Sequence, residues 1–331
     1  MKKAVKILSL MLVLVLSLCA CSNKTATDPK DPAYVAVDMS VACLKGPTGV
    51  GMAKLMDHAK AGTAANNYTF TVASAADEIS GKIISGEINI ASVPTNLAAK
   101  LYNKTEGKIQ MLAVNTLGVL SIIENGENIK SISDLKGKTL YSTGEGSNPE
   151  YVLRYVLSKN GIDPDKDVTI QFVATNDELV AALAGGKAEV AMVPEPAATT
   201  VLTKKDTLRR ALSMNDEWEK VSDSKLMMGC VVALRSYVEA NPLAVAKFLE
   251  EYKASIEFTA DTEAAGLLCE TYGIVPAAKI AQAAIPNCNL TYVTGKEMQN
   301  AISGYFEVLY DADKTSVGGK LPAADFYYGV E

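Results

Sequence analysis

The sequence predicts an α/β protein of two lobes, each a mainly parallel sheet flanked by helices, joined by two hinge crossings. Three observations carry that expectation. The 331 residues exceed what one hydrophobic core comfortably holds. Strand-like apolar runs alternate with helical periodicity through residues 34–201, the pattern of a parallel sheet with crossover helices. A block of that pattern also recurs at a constant offset of one hundred residues.

Residues 78–101 (EISGKIISGEINIASVPTNLAAKL) align in this way with residues 178–201 (ELVAALAGGKAEVAMVPEPAATTV). Glu78 and Glu178, Gly86 and Gly186, Ala91 and Ala191, Val93 and Val193, Pro94 and Pro194, and Ala98 and Ala198 are identical. Each copy reads as an apolar-periodic helix, a glycine stop, a short β-run (88–93 and 188–193), a proline turn and another helix. Upstream, a strand at 34–43, a polar loop at 45–51 and a helix at 52–60 correspond to a strand at 138–141, a polar loop at 142–148 and a helix opened by Pro149. Proline at the first helical position and glycine past the last, here near Gly161, are ordinary start and stop signals.

Between the copies, residues 109–124 form a β-rich segment that leaves the first lobe, and 132–137 lead into the second. Residues 226–234 are the only later strand-like run and carry the chain back. Helical patterns follow, one capped by Asn241-Pro242 and running to 260, then 263–272, 276–285 and 296–309, with no β partner of their own. Lobe I is therefore expected at 34–124 and 226–331, and lobe II at 125–225.

The N-terminus reads as an export signal. Lys2, Lys3 and Lys6 precede an apolar run at 7–18, and small residues lead to Cys21. The run is twelve residues, short of the roughly 20 that span a bilayer. Leu18-Cys19-Ala20-Cys21 resembles a bacterial lipobox, which implies removal of residues 1–20 and acylation of Cys21, with palmitate-type chains, as a membrane anchor. Residues 21–33 then serve as a polar tether. This places the protein on the outer face of a bacterial cell membrane, or in the periplasm of a two-membrane cell.

Loss of the three signal lysines moves the formal net charge from −6 to −9. An acidic chain with singly scattered charges disfavours nucleic acid as a partner. A monomer is expected. Cys43, Cys230, Cys269 and Cys288 allow three pairings, of which Cys269 with Cys288 leads; a buried free thiol is the alternative for each.

In open α/β sheets ligands sit beyond the carboxyl ends of strands. Loops 46–49, 92–96, 142–148 and 193–196 occupy such places. The candidate ligand-binding residues are Thr48, Gly49, Ser92, Thr95, Thr116, Thr143, Gly144, Ser147, Asn148 and Glu195. Helix N-termini behind the glycine loops suit an accepting or anionic group, although tight βα turns use the same residues. Arginine is nearly absent from these loops, which argues against a guanidinium clamp. Glu195 suits a donor such as an amine, or serves only as a helix N-terminal carboxylate. Together they point to a small, partly polar solute that is not strongly anionic.

Catalysis and cofactors find no support. His58 is the one histidine, so an imidazole metal site or a Ser/His/Asp set cannot be assembled. Loop 46–51 lacks the lysine of a P-loop, and no third glycine follows Gly144 and Gly146 at dinucleotide spacing. Residues 311–322 begin like a calcium loop but carry Ser316 and Pro322 where glycine and glutamate are required. No cofactor is expected.

Ser131-Ile132-Ser133-Asp134-Leu135-Lys136-Gly137-Lys138, the turn Asn160-Gly161-Ile162-Asp163-Pro164, and residues 182–191 followed by Pro194-Glu195-Pro196 resemble the ABC-transporter solute-binding proteins of the sulfonate, taurine, nitrate and thiamine-pyrimidine-precursor group. The likeness spans about 40–240. It implies a type II periplasmic-binding-protein fold that closes on a small-molecule solute and docks on a membrane permease. An aromatic often precedes the "EP" turn in that group, where this chain has Val193-Pro194. An extracellular enzyme on the same fold and a surface ligand sensor or adhesin are the alternative functions.

Overall fold

In the computed structural model, which describes residues 34–330, the chain builds two sheets. The strands are β1 (Asp38–Leu44), β2 (Asn67–Ala73), β3 (Ile90–Pro94), β4 (Ile109–Thr116), β5 (Leu120–Asn125), β6 (Thr139–Ser142), β7 (Thr169–Phe172), β8 (Val190–Pro194), β9 (Leu208–Ser213), β10 (Gly229–Leu234) and β11 (Leu290–Val293). The helices are α1 (Pro47–Val50), α2 (Ala53–Lys60), α3 (Asp77–Ser85), α4 (Thr95–Lys104), α5 (Asn148–Lys159), α6 (Asn176–Ala184), α7 (Ala197–Lys204), α8 (Met214–Glu219), α9 (Arg235–Ala240), α10 (Pro242–Glu257), α11 (Thr262–Thr271), α12 (Ala278–Ala284) and α13 (Gly295–Ala312). The signal segment, Cys21 and the tether lie outside the described residues.

The first sheet runs β11-β4-β10-β3-β1-β2 and the second β7-β6-β8-β5-β9. Both are mixed: β2, β1 and β3 are parallel, as are β7, β6 and β8, while the next strand in each, β10 or β5, is antiparallel. The order β4-β10-β3-β1-β2 thus maps onto β9-β5-β8-β6-β7, so the sequence repeat is a repeat of topology. The bounds of β3 and β8 differ by one hundred, and both strands are buried on both faces, which is why each is a continuous apolar run. Gly86 and Gly186 end α3 and α6 at φ +87° and +76°, a conformation that side chains with a Cβ resist. Glu78 and Glu178 accept the N–H of Ala75 and Ala174 at 2.9 and 3.2 Å, each capping its own helix.

Four expectations change. Strand β5 belongs to the second sheet, so the first crossing is residues 117–119 rather than the end of a lobe at 124. The apolar run was continuous in sequence because both strands are buried, and only Gly118 marks the break. Strand β9 is an unexpected edge of the second sheet: Arg209 and Arg210 hide its apolar content. The C-terminal region also contributes β11, a short, half-buried edge strand beside β4. Finally, Cys269 and Cys288 are not bridged. All four described cysteines are free and buried, each filling a core position as a small apolar group.

The two crossings lie against each other. A Cβ on Gly118 would fall 2.8 Å from Leu226 Cδ2 and from Asn215 Oδ1. The Leu117 N–H donates to Asn289 O at 3.0 Å, and the Asn289 amide donates to Gly118 O. Behind the crossings the fully buried Trp218 packs between Tyr155 and Tyr305, at ring separations of 4.7 and 5.5 Å, and donates to Ser224 O at 2.6 Å. Helix α13 therefore straps lobe II to lobe I on the hinge side.

Candidate functional site

Equivalent backbone bonds fix the proline turns to the crossings. The Thr95 N–H donates to Met228 O at 3.1 Å, and one hundred residues on the Glu195 N–H donates to Val119 O at 3.0 Å. The turns after β3 and β8 thereby face each other across a cavity of about 240 Å³. Each of the four expected loops supplies wall residues: Pro47 and Thr48, Pro94 and Asn96, Ser147 and Asn148, Pro194 and Glu195. The crossings and the strand ends that flank them add Thr116 and Val119 on one side and Met228 and Gly229 on the other. Prolines, Val119 and Met228 make much of the wall apolar, as small-molecule sites require.

Among the candidate residues, Thr48, Thr116, Ser147, Asn148 and Glu195 stand in the wall. The others support it from behind. Ser92 Oγ accepts from Asn115 Nδ2 at 2.6 Å, and the same amide donates to Tyr252 OH at 2.8 Å, in a fully buried network where burial pushes the Tyr252 phenol up. Thr95 Oγ1 donates to Met227 O at 2.7 Å. Thr143 Oγ1 donates to Asn176 Oδ1 at 2.8 Å and so orients a wall amide that the sequence reading missed. Gly144 sits at φ +81° and accepts from Ser147 Oγ at 2.7 Å, closing the turn into α5.

The loop at 46–49 is itself helical, and this removes Gly49 as a backbone donor to solute. Its N–H is taken by Gly46 O at 2.9 Å. The position is a packing requirement, since a Cβ there would lie 2.5 Å from Leu44 O. Beside it, Lys45 is exposed and lines the cavity. Helices α4 and α5, ten and twelve residues long, both begin at the wall with Asn96 and Asn148 in their first turns, which presents their positive ends to the cleft.

Glu195 has another partner than solute. One carboxylate oxygen pairs with Arg210 and the other accepts the Thr199 N–H at 3.2 Å; its side chain is 0% exposed. Arg210 also donates to Ser121 Oγ. Glu145 is exposed and outside the wall. Arginine is absent from the loops, as the sequence says, but it reaches the site from β9. A run of Leu208, Ala211 and Leu212 interrupted by two arginines was the only signal for it.

The lobes touch around the cavity. Asn148 Nδ2 of lobe II donates to Thr95 Oγ1 and to Met228 O, at 3.2 and 3.3 Å. Three residues along α5, Tyr151 OH donates to Asp313 at 3.1 Å.

Two hinged lobes around a cavity walled by both define a solute-binding protein of the type II periplasmic-binding-protein fold. The chain belongs to the family described as ABC transporter, phosphonate, periplasmic substrate-binding protein, whose pattern matches residues 52–263. That is a class of binding proteins rather than enzymes, working outside the cytoplasmic membrane. The Bacillus subtilis protein YtlA is 32% identical over 121 residues, 36% of this chain and 34% of that protein, so the match spans about a third of the relative's length. An ABC transporter structure from Parabacteroides distasonis superposes with TM-score 0.74 at 24% identity, covering 87% of this chain and 98% of that one. The periplasmic aliphatic sulphonate binding protein SsuA of Escherichia coli gives 0.68 at 16% identity, covering 84% and 93%. SsuA of Xanthomonas axonopodis pv. citri, bound to MOPS, gives 0.64 at 15%, covering 89% and 98%.

Proposed function

We propose that this chain captures a small solute with an oxyanion head group, phosphonate or sulfonate in class, by closing its lobes over it, and delivers it to an ABC permease while held to the membrane through Cys21. The observation that carries the reading is the charge of the wall. With Glu195 enclosed and paired, Lys45 is the exposed ionic side chain among the wall residues, and it lines the same cavity as the N-termini of α4 and α5. This replaces the expectation of a weakly charged solute or an amine at Glu195: the carboxylate that suggested it is neutralised by an arginine the loops do not contain.

Thr48, Thr116, Ser147 and Asn148 supply hydroxyl and amide groups for the head, with Asn96 and Asn176, and the prolines and Met228 take an apolar remainder. A cavity of about 240 Å³ suits a compact solute. The test is a thermal-shift screen of the full chain against matched short-chain phosphonates, sulfonates, carboxylates, amines and alcohols. Stabilisation by phosphonates or sulfonates alone supports the reading. Stabilisation by amines or alcohols with no response to the oxyanions refutes it.

A further inference from the structure

The ion pair under the cleft does more than hold β9 to its sheet. We propose that Arg210 is a specificity-determining residue: by neutralising Glu195 it makes the cleft selective for anions, acting through the carboxylate without touching the solute. This rests on the reading that solute binds in the cavity between the lobes.

Three features carry the inference. Glu195 is a wall residue whose side chain is wholly enclosed, so no water screens its charge from the cavity. Its two oxygens are committed to Arg210 and to the Thr199 N–H, so it is held in the wall rather than free to swing out. Arg210 is fixed by Ser121, the second residue of β5 just past the first crossing, while its side chain is 27% exposed. That exposure opens into a separate polar crevice of about 260 Å³ lined by Ser213, Asn215 and Asn289. The guanidinium is thus hydrated on the far side while compensating a carboxylate on the cleft side. Without it, Glu195 would set an uncompensated negative charge against Lys45 and the two helix N-termini and weaken their pull on an anion.

The test uses ethylphosphonate and ethylammonium as probes, titrated calorimetrically into wild type, Arg210→Gln, Glu195→Gln and the double variant, with thermal unfolding recorded for each. Arg210→Gln should weaken ethylphosphonate about tenfold or more and gain ethylammonium affinity. Glu195→Gln should hold or tighten ethylphosphonate binding, and the double variant should return to within about threefold of wild type. A merely structural pair would weaken both probes alike in step with lost stability; an unchanged ratio of the two affinities in Arg210→Gln overturns the proposal. If Arg210→Gln does not fold, Glu195→Gln decides, and loss of ethylphosphonate affinity there overturns it. If wild type binds neither probe, the oxyanion reading fails separately. Arg210 is then judged by whether Arg210→Gln acquires ethylammonium binding, which supports the assignment, or does not, which refutes it.

Discussion

Asn148 Nδ2 lies 3.2 Å from Thr95 Oγ1, and this bond joins the lobes across the cleft. The same nitrogen reaches Met228 O at 3.3 Å, so the first turn of α5 is tied both to the opposite proline turn and to the returning crossing. Asn148 Oδ1 is buried and has no partner. Asn148→Ala removes both bonds, each of about 1 kcal/mol. The unliganded protein should then expand in small-angle X-ray scattering, and solute affinity should fall about five- to tenfold. An unchanged radius of gyration with unchanged affinity would show that the bond does not govern closure.

Gly49→Ala separates packing from binding. The new Cβ would meet Leu44 O at 2.5 Å and Ile274 at 2.9 Å, and the first of these is backbone that cannot rotate away. The substitution should cost about 1–3 kcal/mol, read as a lower denaturation midpoint. Wild-type stability with lost affinity would instead restore Gly49 as a contact of the solute.

The interiors of the two sheets are more legible in the sequence than their edges. The hundred-residue offset located β3, β8, α3 and α6 because burial on both faces and glycine stops leave strong local signals. Strands β9 and β11 leave only faint ones: in the first two arginines interrupt a short apolar run on an edge, and the second is four half-buried residues. Without β9 in its place beside β5, nothing in the sequence sets Arg210 against Glu195. Thr48, Ser147 and Asn148 were legible because cavity walls form from loops after strands. The pairing of Glu195 with a residue fifteen positions away was not, since it depends on the register of β9 against β5.

Alkaline pH should destabilise the protein through its thiols. Burial pushes Cys43 from 9.0 up to about 12, with Cys269 nearby adding to the rise, and burial pushes Cys269 up to about 12 as well. Cys230 and Cys288 are raised further by the same cause. Above pH 9 the unfolded chain releases these protons while the folded chain keeps them. The stabilisation is therefore complete below about pH 9 and is lost as pH rises toward 12. Denaturation midpoints should fall across that window, and Ellman's reagent should find these four thiols only after unfolding. Fewer than four in the unfolded, unreduced chain would reveal a disulfide.

Cys21→Ser should release the exported protein from membranes into the soluble fraction, with its solute affinity unchanged. Continued retention that only detergent reverses would contradict the lipid anchor.

If the cleft captures an anion through Lys45 and the helix N-termini at its wall, the lysine and the salt concentration both govern solute affinity. The most direct measurement is calorimetric titration of ethylphosphonate into wild type and Lys45→Ala at low and high salt. One-to-one binding that weakens as salt rises is expected, with a loss of about tenfold in Lys45→Ala and a shallower salt dependence. Equal affinities for the two proteins at both salt concentrations would contradict anion capture through Lys45.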